Sequence, residues 1–84
     1  MTTTQTEIKR AYIRHYRDSD STVAYCEWAD GGRTEGHIRT QCGCVHGEQP
    51  SHFIGCNGAP FGEHMTALLA RAVRDGAPVS FEVW

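Results

Sequence analysis

The sequence predicts a single α+β domain, in which a three- to four-stranded, mainly antiparallel sheet carries one helix packed on one face. Three observations predict this class. Several segments are rich in β-branched and aromatic residues, one stretch spaces its apolar residues as a helix does, and an Asp-Gly-Gly turn joins two strand segments. The predicted order is β-β-β-loop-α-β. With 84 residues, of which 39% are hydrophobic, the chain has room for one core.

The first half of the chain predicts three strands. Residues 1–6 are polar and are expected to form a disordered tail. Strands are expected over 8–16, 22–29 and 33–38, because these segments alternate between two faces. The glycines of Asp30-Gly31-Gly32 suit a hairpin between the second and third strands. Gly36 marks a candidate bulge in the third strand.

The second half predicts a long loop, a helix and a last strand. The loop spans 40–60 and is rich in Cys, Gly and His, with Ser51 to Ile54 as a candidate short strand. The helix spans 61–76, and its apolar stripe consists of Met65, Leu68, Leu69, Ala72 and Val73. Gly76 is placed to cap it. The last strand, 78–84, is expected to lie beside the first.

Composition excludes several classes of function. A net charge of −2 argues against nucleic acid as a partner, since neutralising phosphates needs a basic excess. The first residues lack the basic and apolar regions of a signal peptide, and the chain has no apolar run of membrane-spanning length. A cytoplasmic protein is therefore expected, with its four cysteines reduced.

The loop contains a group of residues suited to binding metal. Thiolate and imidazole are the ligands that zinc prefers in small structural sites. The candidate ligands are Cys42, Cys44, His46, His52 and Cys56. The C-x-C spacing is less favourable than C-x₂-C for binding one ion through both thiolates. The leading interpretation is therefore that these cysteines are reduced packing residues with no cofactor, and a zinc site is the alternative.

Enzymatic chemistry is the third interpretation. Cys42 and Cys44 could form a redox pair, although they lie well ahead of the helix whose dipole would activate a thiol. A nucleophilic Cys56 would need a nearby base. The candidate bases are His46, His52 and His64. The sequence contains no hydrolase or phosphate-binding motif, so a non-enzymatic protein is predicted. Cys26 is expected to be a buried residue of the second strand.

One face of the sheet is predicted to bind a protein partner. Ala11, Ile13 and Trp28 are assigned to the helix side. The opposite face then carries Arg10, Tyr12, Arg14, Tyr16 and Tyr25. Tyrosine and arginine are enriched at the centres of protein interfaces. The alternative is a solvated sheet, in which Glu27 and Glu35 pair with Arg10 or Arg14.

Two segments, AYCEWADGGRTEG and HMTALLARAVRDGAPVSFEVW, resemble small uncharacterised proteins carried by phages and mobile elements of proteobacteria. Anti-CRISPR inhibitors are prominent among characterised small phage proteins of this size and fold class, so the resemblance implies a protein of this kind. Such inhibitors are typically non-enzymatic and occlude a surface of a Cas protein or complex. It implies no particular site residues. The function predicted is therefore surface occlusion by a phage-borne inhibitor of host defence, and a zinc-stabilised domain is the alternative. Homodimerisation through a strand edge or the tyrosine-bearing face is also expected.

Overall fold

A computed structural model describes residues 7–39 and 43–84 and confirms the α+β class. The predicted tail, 1–6, lies outside the described residues, as does 40–42. The strands are β1 (Ile8–Tyr16), β2 (Ser21–Trp28), β3 (Arg33–His37) and β4 (Val79–Val83). The helices are α1 (Pro50–Ile54) and α2 (Glu63–Arg74).

The four strands form one mixed sheet in the order β3-β2-β1-β4. The first three strands form an antiparallel meander, as expected from their short turns. β4 returns beside β1, the predicted neighbour, and runs parallel to it because the chain first crosses the sheet through α2. The bulge predicted at Gly36 is wrong, since Gly36 pairs in regular register with Ala24. A β-carbon on Gly36 would lie 2.6 Å from Cγ of Met65, so glycine is needed there for close helix packing.

α2 covers one face of the sheet. Met65, Leu68, Leu69 and Ala72 are buried, as predicted. Val73 is 54% exposed, which corrects its assignment to the buried stripe. At 3.6 residues per turn, Val73 projects roughly 90° away from the centre of that stripe. Gly76 has φ +79° and caps the helix as predicted, donating to the carbonyl of Val73.

The candidate strand at Ser51 to Ile54 is wrong, because these residues belong to α1. Pro50 is the first helical residue, where its fixed φ favours a helix and its missing N–H costs nothing. Phe53 is the buried residue of α1. Its ring contacts Phe61 and Phe81, with centroid distances of 5.3 and 6.1 Å. α1 therefore attaches the loop to the core.

The sheet has a different cluster of buried residues on each face. Ala11, Ile13, Cys26 and Trp28 pack with α2, which confirms the predicted orientation of the sheet and the burial of Cys26. A second cluster lies on the opposite face and consists of Tyr12, Val23 and Tyr25, with Tyr16 packed against it. In the described ranges, 7–39 and 43–84, neither helix has the length and apolar character needed to cross a membrane.

Candidate functional site

Three side chains from the loop converge on one point: Cys44, His46 and Cys56. Their ligand atoms all lie within 4.8 Å of one another, and the two Sγ atoms are 3.4 Å apart. The chain achieves this by turning back through α1, which separates His46 from Cys56. Residues 43–60 are called the donor loop below.

The imidazole of His46 is held from two sides. Its Nδ1 lies 2.8 Å from the backbone carbonyl of His52, and its ring stacks on Phe53 with centroids 4.6 Å apart. A carbonyl can only accept a hydrogen bond, so Nδ1 carries the proton in this contact. The lone pair of the neutral ring is then on Nε2, the arrangement that metal-binding histidines adopt when a carbonyl orients them.

His52 stands beside the three donors rather than among them. Its Nδ1 accepts a hydrogen bond of 2.8 Å from the backbone N–H of Gly47. The neutral ring therefore carries its proton on Nε2, and its one lone pair is engaged by the backbone. His52 contributes to the site through its carbonyl, which orients His46. Cys42, also predicted as a ligand, lies outside the described residues.

The donor set fits a tetrahedral thiolate–imidazole site. With Zn–S bonds of about 2.3 Å, two thiolates on one zinc ion stand about 3.8 Å apart. The observed 3.4 Å between Cys44 and Cys56 is close to that value and requires a small adjustment. Two sulfurs and one nitrogen are soft or borderline ligands, which favour zinc over calcium or magnesium. The described residues can thus supply three ligands.

Sequence reasoning found these three donors but missed what supports them. Phe53 was part of a candidate strand, although it is the side chain on which His46 stacks. The sequence did contain a signal for this role, since Phe53 is a large apolar residue between two groups of candidate ligands. Among the bases considered for Cys56, the structure brings His46 to it, whereas His64 lies exposed on α2.

A second candidate site covers the opposite sheet face, where Arg14 is surrounded by aromatic rings. Its guanidinium carbon lies 4.2 Å from the ring centroid of Trp84, 4.9 Å from Tyr12 and 5.4 Å from Tyr25. Arg14 also donates two hydrogen bonds to Oε1 of Glu82, at 3.0 Å from Nε and 2.9 Å from Nη2. We call this surface the arginine face, and its members are Arg10, Tyr12, Arg14, Tyr16, Tyr25, Glu27, Glu82 and Trp84.

The tyrosines of the arginine face lie on the predicted side of the sheet, but Tyr12 and Tyr25 are only 2% and 6% exposed. They pack as a stacked pair, with centroids 4.9 Å apart, beneath the arginine side chains. Trp84, in contrast, is 59% exposed. Trp84 and Glu82 were not among the predicted site residues, although the alternation of the last strand places both on this face.

Ion pairs neutralise the arginines. Arg10 contacts Glu27 at 2.8 Å, as the solvated-sheet alternative expects, and Tyr12 donates to the same carboxylate at 3.0 Å. The Arg10 hydrogen bond, with help from Tyr12, lowers the pKa of Glu27 to about 2. Arg14 pairs instead with Glu82 of β4, at 2.9 Å. The hydrogen bond that Arg10 donates to Glu27 raises the pKa of Arg10.

A tyrosine pair lies at one end of the arginine face. The hydroxyl groups of Tyr16 and Tyr25 are 2.8 Å apart. Burial, followed by this hydrogen bond, raises the pKa of Tyr25 to about 12. The same bond, with one from Arg14, lowers the pKa of Tyr16. The two phenols are therefore expected to ionise separately.

No protein family model, curated protein or solved structure matches this chain. The similarity to small phage proteins and to anti-CRISPR inhibitors thus stays a prediction from the sequence.

Proposed function

We propose that this protein is a small zinc-stabilised domain in which Cys44, His46 and Cys56 hold a structural zinc ion. The observation that supports the proposal most directly is the convergence of two thiols and one imidazole within 4.8 Å. The hydrogen bond from His46 to the His52 carbonyl adds the support expected around a metal ligand.

The architecture explains why a metal would stabilise this chain. Zinc would join Cys44 and His46, which precede α1, to Cys56, which follows it. It would thereby close the segment that carries Phe53 into the core. Small domains bury limited apolar surface, and a bound metal adds folding free energy directly. The C-x-C spacing is not an obstacle here, because Cys44 pairs with the distant Cys56.

The first test is the zinc content of protein purified without chelator. We expect one zinc ion per chain and a lower melting temperature after EDTA. The substitutions Cys44→Ser, His46→Gln and Cys56→Ser should each abolish stoichiometric binding. Cys26→Ala and His64→Gln are matched controls, since Cys26 is buried under α2 and His64 is exposed on it. Both controls should retain zinc.

Cobalt substitution keeps the test independent of folding defects in the variants. Cobalt bound to the unaltered protein should give thiolate charge-transfer absorption and the visible bands of a tetrahedral complex. Zinc should then displace it. Absence of bound zinc together with a featureless cobalt spectrum would contradict the proposal. Cys42→Ser tests separately whether Cys42, predicted from the sequence, is a fourth ligand.

We propose protein binding through the arginine face as a second candidate function. The observation that favours it is Trp84, which is 59% exposed beside Arg14, together with Arg10 of the same face, whose side chain is 46% exposed. Exposed tryptophan and arginine are the side chains most often central to protein interfaces. Surface occlusion of a defence protein, such as a Cas complex, would use this face, and a second copy of the chain is another candidate partner.

The test uses two single substitutions that retain the buried tyrosines. Trp84→Ala and Arg10→Ala should each weaken capture of a protein partner from bacterial lysate, or shift a dimer to monomer in sedimentation. Val73→Ala is the control, because Val73 is exposed on α2 at the other side of the sheet. A partner captured equally by all variants would contradict this assignment.

A further inference from the structure

We infer that Cys44 and Cys56 form a peroxide-sensitive thiol pair, whose oxidation to a disulfide releases the metal from the donor loop. This inference rests on the proposed function, because it describes how the same site would be regulated. The observation behind it is the 3.4 Å distance between the two sulfur atoms.

The distance between the two sulfur atoms is compatible with two states after small movements, a zinc-bound thiolate pair and a disulfide. Two thiolates on one zinc ion stand about 3.8 Å apart. A disulfide bond is about 2.05 Å long, so the sulfurs need to approach by roughly 1.4 Å. The residues between the two cysteines include α1, which holds them side by side through the contacts of Phe53 with the core. Both states are therefore within reach of small movements of the loop.

Exposure determines which thiol meets the oxidant. Cys44 is exposed, Cys56 is half-buried and Cys26 is buried. A peroxide in solution therefore reaches Cys44 first, and Cys56 is placed to react with the product. Burial raises the pKa of the Cys26 thiol, which makes that residue a poor competitor for the same oxidant.

The reaction has two steps. The Cys44 thiolate attacks one oxygen of hydrogen peroxide, the O–O bond breaks, and a sulfenic acid and hydroxide are formed. The Cys56 thiolate then attacks the sulfenic sulfur, the S–S bond forms, and the S–O bond breaks with loss of a second hydroxide. Two protons convert both hydroxides to water. The two sulfurs lose two electrons in total, and peroxide gains them.

The metal leaves as a consequence of this chemistry. A disulfide sulfur is a far weaker zinc ligand than a thiolate, since the thiolate is the form that binds metal. Among the residues that the structure describes, oxidation removes two of the three donors and leaves His46. The cross-link between Cys44 and Cys56 then holds the two sides of α1 together in place of zinc. The donor loop would thus be closed in either state.

The test begins with zinc-loaded, reduced protein treated with hydrogen peroxide. A chromogenic chelator measures released zinc, and mass spectrometry of alkylated peptides maps the disulfide. We expect one zinc released and one Cys44–Cys56 disulfide formed per chain, with zinc binding restored by dithiothreitol. Cys26→Ala is the control and should behave like the unaltered protein. Cys56→Ser, which is treated with peroxide in its zinc-free reduced form, should stop at the sulfenic acid of Cys44, which a dimedone probe detects.

The outcomes separate this inference from the proposed function. Zinc retained under peroxide, or a disulfide that joins either cysteine to Cys42, would overturn the inference while the zinc site stands. A reduced protein that binds no zinc would overturn the proposed function and, with it, the release of metal. In that case, the peptide map of the unaltered protein still decides whether Cys44 and Cys56 form the disulfide.

Discussion

The sheet and the donor loop are held together by different kinds of interaction. Each face of the sheet carries its own buried cluster, and the two central strands are paired on both sides. The donor loop has the short helix α1, anchored through Phe53, and three convergent side chains that could hold a metal ion. Apolar burial can thus support the sheet without a ligand, whereas the donor loop depends on a few specific side chains. Changes in the two regions should therefore respond differently to zinc.

Leu69→Ala should give the largest effect and test the sheet side of this comparison. Leu69 is fully buried in the core under α2, and truncating such a residue costs about 3 kcal/mol through lost burial and a cavity. Denaturant unfolding should show this loss equally with zinc and with EDTA. Val73→Ala, an exposed position of the same helix, is the matched control and should change stability little. A loss that appeared only with EDTA would show that the core depends on the metal.

Arg14→Ala should give a smaller loss, of about 2 kcal/mol, because it removes cation–π contacts and leaves Glu82 without its ion-pair partner. Trp84 fluorescence should change, since the guanidinium lies over its ring. Arg14→Lys should recover only part of the loss, because an ammonium lacks the planar fork. Arg74→Ala, at an exposed end of α2, serves as the control. Full recovery of stability in Arg14→Lys would argue against the stacking role.

Glu27→Gln should remove part of the acid sensitivity of the arginine face. The folded pKa of Glu27, about 2, lies below the ordinary value of about 4.3. Its contribution to stability is thus complete above the ordinary pKa and is lost as the pH falls toward 2. Unfolding measured between pH 5 and pH 2, a range that covers the interval between the two pKa values, should show a shallower fall in stability for the variant. Glu48→Gln, in the donor loop, is the control, and the same shallower fall in that variant would contradict the assignment.

Tyr16→Phe should give the smallest loss of stability, because one partly exposed hydrogen bond to Tyr25 is removed. The pKa of Tyr25 should fall from about 12 but stay above its ordinary value, since burial is the larger cause. A raised pKa stabilises the fold below the ordinary value near 10, and this contribution is lost as the pH rises toward the folded value. Absorbance titration of the tyrosines measures the shift. An unchanged pKa of Tyr25 would show that the hydrogen bond from Tyr16 has no influence on it.

The predictions from the sequence were correct where a local pattern is compatible with a single local structure. The alternation in the strands placed Ala11 and Ile13 on the helix side, and Gly76 ended α2 as predicted. The prediction failed at Ser51 to Ile54, because a short apolar run has no reliable period and Pro50 favours a helix start. The prediction also failed at Val73, which follows the apolar spacing of the helix but lies at the edge of the stripe and is exposed.

The sequence alone determined the fold class, the packed face of the sheet and the set of candidate metal ligands, because these follow from periodicity and from residue chemistry. Which candidate ligands meet depends on the tertiary structure: Cys44, His46 and Cys56 converge, and His52 orients His46 through its carbonyl. The tertiary structure also decided that Arg14 contacts Glu82 and Trp84 of the last strand. The physical reason is that these contacts join residues distant in the chain, whose distances depend on how α1 folds and how β4 returns beside β1.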